Sequence, residues 1–153
     1  MRDNKWLEQR LDQIWILLFP EVERLNQVNV QFKGRWRNKF GHIKKLKDGN
    51  TEIVINAVFK DLRVPDYIIE ITLAHELVHY MHGFNSPHLK RYKHPHKGGI
   101  VEKEMIRKGF GHLIAKEKEF LKNDWPKIVS NYKKPRIRRI SLLDLFRIGR
   151  ARV

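Results

Sequence analysis

The sequence predicts one domain of the α+β class, with an N-terminal helix, a short antiparallel sheet, a central helix and a following helix. The chain has 153 residues, of which 41% are hydrophobic and four are tryptophan, so it can bury one core. Its apolar residues first follow a helical period, then alternate with polar residues, and later return to the helical period. We expect residues 1–130 to form this domain and residues 131–153 to form a basic C-terminal tail.

The first helix is predicted from apolar residues at helical spacing: Leu7, Leu11, Ile14 and Leu18. The pattern ends at Pro20, which cannot continue a helix. Residues 14–19 are the longest apolar stretch, but they are far shorter than the ~20 residues that cross a membrane. No signal-peptide pattern opens the chain. We therefore expect this helix to pack in the core.

Two strands are predicted after this helix. Val28, Val30 and Phe32 alternate with polar residues, and residues 51–56 follow a strong turn signal at residues 48–50. The basic, mixed segment between them leaves room for a third strand. Two or three antiparallel strands packed on the next helix are the expected arrangement.

That next helix carries the most informative motif of the chain, H-E-x-x-H at His75, Glu76 and His79. Residues 66–83 follow a helical apolar period and end at Gly83. On a helix, positions i and i+4 lie on one face, so the two imidazoles can hold one Zn²⁺. Glu76 then lies beside the metal-bound water as a candidate general base. The alternative is a surface helix with two unrelated histidines.

A catalytic zinc site needs a third protein ligand, which must come from downstream. The metzincin spacing is excluded, because His82 and Asn85 stand where that pattern requires Gly and His. The candidates that remain are His82, His88, His94, His96, Glu102 and Glu104. The segment from residue 94 to residue 100 is the most informative, since it places histidines just before another helix. The apolar face of that helix is Ile100, Val101, Met105, Ile106 and Phe110.

Over residues 5–115 the chain resembles the SprT-like zinc metalloproteases, the family that includes Spartan-type DNA–protein crosslink proteases. The resemblance rests on "TLAHELVHYMHG" followed by "HPHKGGIVEKEMIRKG". It implies a small zincin core in which His75, His79 and His96 bind Zn²⁺. Lys97 replaces the glycine that usually follows the third ligand, which keeps His94 as an alternative. The chain has no cysteine, so the zinc ribbon of some SprT-like proteins is absent.

A gluzincin-like peptidase, with Glu102 or Glu104 as the third ligand, is the chief competing interpretation. The function predicted is that of a zinc-dependent metallopeptidase in which Glu76 takes up and returns a proton. Tyr80, Tyr92 or His94 could stabilise the oxyanion. We expect residues 51–56 to form an edge strand that binds an extended substrate by β-augmentation. The rival from another class is a non-catalytic nucleic-acid-binding module with a structural zinc site.

The second pronounced feature is a net charge of +15, from 32 Lys and Arg against 17 Asp and Glu. Such a charge favours polyanions through counterion release, so non-sequence-specific DNA is the predicted partner besides the protein or peptide substrate. Trp36 and Phe40 lie among basic residues and either stack on bases or, as we prefer, belong to the core. The tail is basic at residues 133–139 and apolar beyond, so it docks on the domain, binds a partner or covers the cleft. A cysteine-free chain predicts a cytoplasmic protein.

Overall fold

The computed structural model of the protein describes residues 1–132. All but two residues of the predicted tail, 131–153, therefore lie outside the described part of the chain. In order, the elements are α1 (Asn4–Leu18), β1 (Val28–Phe32), β2 (Gly41–Lys45), β3 (Thr51–Ile55), α2 (Asp66–Met81), α3 (Ile100–Arg107), α4 (Gly111–Asn123) and α5 (Trp125–Ser130). This confirms the predicted α+β class. None of the helices within residues 1–132 is both long enough and apolar enough to cross a membrane.

The three strands form a mixed sheet in the order β1-β3-β2. β2 runs antiparallel to β3, as predicted, whereas β1 runs parallel to β3. The expectation of a wholly antiparallel sheet is therefore wrong for β1. The chain between β1 and β2 explains this difference. It passes around the end of β3 and hydrogen-bonds to β3 on both sides, so β1 and β2 run in opposite directions along β3. Lys33 N donates to Ile55 O at 2.9 Å, and Asn56 N donates to Phe40 O at 2.8 Å.

β3 is the central strand, so the prediction that residues 51–56 form an edge strand is wrong. Ile53, Val54 and Ile55 are all fully buried, as a strand covered on both faces requires. The edge strand beside the cleft described below is β2. Its first residue, Gly41, approaches α2 closely: a Cβ there would lie 3.0 Å from the Thr72 methyl carbon.

α2 passes through the middle of the core. The residues predicted for its apolar face, Ile69, Leu73, Leu77 and Tyr80, are all fully buried. α1 buries its predicted face against the sheet and α2, and Trp15 Nε1 donates to Val22 O at 2.7 Å to hold the chain that leaves α1. The side of α2 that does not pack against α1 or the sheet is available for a functional site.

Two aromatic predictions have separate outcomes. Phe40 is half-buried and packs against the core residues Phe59 and Trp125, with ring centroids 5.4 and 5.3 Å away, so the preferred assignment to the core holds only in part. Trp36 is only half-buried. The helix after residue 100 is shorter than its pattern suggested, because α3 ends at Arg107 and Phe110 already caps α4.

Candidate metal centre

His75 and His79 lie one turn apart on α2 and share the side of the helix that faces away from the core. Their Nε2 atoms are 3.1 Å apart, and their ring centroids are 4.8 Å apart. The helical pattern of the sequence is the direct cause, since residues at i and i+4 lie one above the other. His79 is buried, and His75 is half-buried.

His96 completes the group from the connection between α2 and α3. Its ring centroid lies 4.6 Å from that of His79 and 5.4 Å from that of His75. One nitrogen from each ring falls within 4.8 Å of the other two. Three imidazole nitrogens that converge in this way could bind a metal ion.

Within residues 1–132, none of the other predicted ligand candidates joins this group. Glu104 pairs with Arg107 at 2.9 Å, and Glu102 lies 3.7 Å from Lys118. His88 Nε2 is 2.7 Å from Glu23 O, on the far side of the connection. His94 is exposed, and His82 is buried with its ring edge against Tyr92.

The connection that carries His96 is held by bonds that sequence patterns did not predict. Asn85 Nδ2 donates to Ile43 O at 2.9 Å, and Thr51 Oγ1 donates to Asn85 O at 2.9 Å. Ser86 Oγ donates to Tyr80 O at 2.6 Å, next to His79. These side chains tie the connection to the sheet and to the end of α2, so they position the third histidine without contacting it.

Gly83 is required where this connection leaves α2. Its φ is +76°, and a Cβ at this position would lie 2.4 Å from Leu89 O. Any other residue would force the connection away from the helix.

The surroundings keep two of the histidines neutral at pH 7. Burial lowers the pKa of His75 to about 4, and burial lowers the pKa of His79 to about 3. Neutral imidazole is the form that binds metals, because its unprotonated nitrogen carries the lone pair. Nδ1 of His79 is buried without a hydrogen-bond partner within residues 1–132. A set of three imidazole nitrogens is typical of zinc and suits other transition metals as well.

Glu76 lies next to the first histidine and faces the cleft. Glu76 is only 4% exposed, and no hydrogen bond to its carboxyl group is present within residues 1–132. Burial raises the pKa of Glu76 to about 8, and the positive charge of Lys39 partly offsets this. A cation bound by the histidines would lower the pKa again. A carboxyl group that titrates near neutral pH can accept and return a proton.

The cleft beside this group has a volume of about 610 Å³. β2 and the chain before it form one wall, α2 forms the floor, and α3 and α4 form the opposite wall. Tyr80, Tyr92 and His94, the predicted oxyanion candidates, do not line it. The Tyr80 hydroxyl instead donates to Asn26 Oδ1 at 2.8 Å on the far side of α2. Lys39 is the cleft residue that sequence spacing missed, because only the sheet brings it near Glu76.

Comparisons of the chain with protein-family models, curated proteins and solved structures gave no match. The resemblance to SprT-like proteases therefore rests on the motif residues alone.

Proposed function

We propose that the protein is a zinc-dependent metallopeptidase of the SprT-like type, with His75, His79 and His96 as zinc ligands and Glu76 as the general base. One observation carries this proposal: the three histidines converge beside an open cleft, and the carboxyl group of Glu76, largely buried and without a hydrogen bond within residues 1–132, lies next to them on the floor of the cleft. A purely structural metal site has no use for such a carboxyl group. The cytoplasmic location predicted from the sequence is part of the same proposal.

Zinc, when bound, supplies a Lewis acid that polarises a peptide carbonyl and makes water more acidic. The chain's own residues do the rest. The neutral imidazoles of His75 and His79 leave their nitrogens free to bind the metal without first losing protons. Glu76 accepts the proton of the attacking water on a carboxylate oxygen and passes it to the leaving amine.

The substitution Glu76→Gln tests the proposal, because it keeps the size of the side chain and removes the base. Zinc content should stay at about one per chain, while hydrolysis of an unfolded protein such as casein should fall by ~10² or more. Glu119→Gln is the matched control, since Glu119 is exposed on α4 and does not line the cleft. Equal hydrolysis by wild type and Glu76→Gln would show that the chain is not a peptidase of this kind and would favour the non-catalytic zinc module.

We further propose that DNA binds the basic loop of residues 33–39, which borders the same cleft. Lys33, Arg35, Arg37 and Lys39 are all exposed, and Lys39 also lines the cleft. Within the loop, Lys39 Nζ lies 4.7 Å from the ring centroid of Trp36, which leaves a half-buried aromatic surface among the charges. A polyanion on this loop would hold an attached protein close to the histidines.

The slope of log K against log salt separates this loop from the C-terminal tail as the contact surface. Neutralising Lys33, Arg35 and Arg37 with Gln should reduce the slope by about two to three units if all three contact phosphates. Neutralising the basic residues in 133–139 is the parallel variant. If only the tail variant changes the slope, the tail is the surface that contacts DNA. If wild type fails to bind DNA at low salt, the partner proposal is wrong.

A further inference from the structure

The wall of the cleft formed by α3 and α4 carries two carboxylates, Glu102 and Glu117. Glu117 is half-buried, and within residues 1–132 no ion pair or hydrogen bond engages its carboxylate. Glu102 is more exposed and has Lys118 as its only near cation in that part of the chain, at 3.7 Å. One lysine thus faces two carboxylates.

This wall is locally acidic in a chain whose net charge is +15. Burial raises the pKa of Glu117, and the negative charge of Glu102 raises it further. Lys118, which also lines the cleft, offsets these effects only in part and lies 3.7 Å from Glu102, so the two carboxylates share one cation and the pair lacks a second compensating charge. A cation that entered the cleft would supply it.

Apolar side chains also line the cleft. Ile71, Val101 and Met105 are buried and line the cleft, and half-buried Ile114 lies beside them. Lysine and arginine have the matching shape, because each has an apolar stem and a charged tip. Their stems would cover the apolar side chains of the cleft, while their charged tips reached Glu117 and Glu102.

A second observation shows that this cleft is built to receive a ligand. Glu76 lines the same cleft, is only 4% exposed and has no hydrogen-bond partner within residues 1–132. The small exposed part of this side chain opens into the cleft, so a ligand that enters the cleft meets an otherwise buried carboxyl group.

We propose that Glu102, Glu117 and the apolar side chains lining the cleft form a specificity pocket that binds a lysine or arginine side chain of the substrate, next to the peptide bond that is cut. The pocket rests on the proposed peptidase function for its role in catalysis. The substrates it selects are basic, extended polypeptide segments. Proteins that bind nucleic acids are rich in such segments.

The test uses peptides that are identical except for one residue on either side of the scissile bond, which is Lys, Arg, Met or Glu. Wild type should cleave the Lys and Arg peptides about tenfold or more faster, in kcat/KM, than the Met peptide, as expected for a charge-assisted contact. In the double variant Glu102→Gln, Glu117→Gln the ratio of Lys to Met should approach one. Glu119→Gln, on the same helix as Glu117, should keep the wild-type ratio.

A binding measurement separates failure of the pocket from failure of the peptidase. In zinc-loaded Glu76→Gln, the Lys peptide should bind about tenfold more tightly than the Met peptide by calorimetry, and adding both glutamine substitutions should remove the difference. Cleavage without any preference for Lys or Arg would overturn the pocket and leave the peptidase proposal standing. No cleavage, together with the expected binding preference, would overturn the peptidase proposal and support the pocket as a binding site. Equal binding of the two peptides would overturn the pocket.

Discussion

Zinc should stabilise the wild-type protein strongly and stabilise His96→Ala hardly at all. His96 is exposed, so its loss should change the melting temperature of the metal-free protein by no more than about 1–2 °C. Its nitrogen is nevertheless one of the three that converge. The substitution therefore removes a ligand without removing a part of the core.

The size of the effect follows from ligand binding to the native state. At a zinc concentration 100 times the Kd, binding stabilises the native state by ~2.7 kcal/mol. For a domain of this size, that raises Tm by about 5–11 °C. If loss of the third ligand weakens binding ~10²-fold, the same zinc concentration gives only about 0.4 kcal/mol, or ~1 °C.

Scanning calorimetry with and without a chelator measures both shifts. His94→Ala is the matched control, because His94 is an exposed histidine in the same connection but lies outside the converging group. It should keep the full wild-type shift. A wild-type protein that zinc does not stabilise, or a His96→Ala variant that zinc stabilises as much as wild type, would refute the three-histidine site.

Three further changes test the framework around the site. Tyr80→Phe removes the hydroxyl that donates to Asn26 Oδ1, so urea unfolding should show a loss of ~1–3 kcal/mol, and zinc content should be unchanged because this hydroxyl is far from the cleft. Asp61→Asn should cost about 1–2 kcal/mol at pH 7, because the side-chain hydrogen bond from Arg63 holds the pKa of Asp61 well below its ordinary value. Since the folded pKa is lowered, this stabilisation is complete above about pH 4 and is lost progressively as the pH falls from there through the lowered pKa of the folded state; a difference that does not shrink between about pH 5 and pH 2 would contradict the ion pair. Gly83→Ala should lower the zinc affinity measured by competition with a chelator, because its Cβ would displace the connection that carries the third histidine; unchanged affinity would show that this connection adapts freely.

The local parts of the fold could be predicted because they depend on neighbouring residues. The apolar period of α2 places His75 and His79 on one side of the helix. The end of the first helix could also be predicted, because α1 ends at Leu18, just before Pro20. Helical geometry could also have excluded Tyr80 from stabilising the oxyanion, because at 3.6 residues per turn it lies about 140° around the helix from His75. The choice of His96 over His94 came from the family resemblance and not from spacing.

The long-range parts could not be predicted because they depend on how elements pack. The parallel pairing of β1 with β3 follows from the path of the chain between β1 and β2, which no alternating pattern records. The continuous apolar run at Ile53, Val54 and Ile55 was the one sign that β3 is central. Glu117 reaches the cleft only because α4 packs across α2, and Lys39 reaches it only because β2 is the edge strand.

The bond from Asn85 to Ile43 O limits how another chain can use the open side of β2. Because Phe40 O pairs with β3, the carbonyls of Gly41 and Ile43 face outward, and that of Ile43 is already occupied. The backbone around Gly41 is the longest free stretch beside the cleft, and exposed Lys45 adds charge at the far end of the strand. The occupied carbonyl of Ile43 interrupts the row of free backbone groups, so this edge is a poor template for extending the sheet with a second copy of the protein. A short stretch of unfolded polypeptide can still pair there, so the proposed peptidase should cut folded domains only after a segment of them opens.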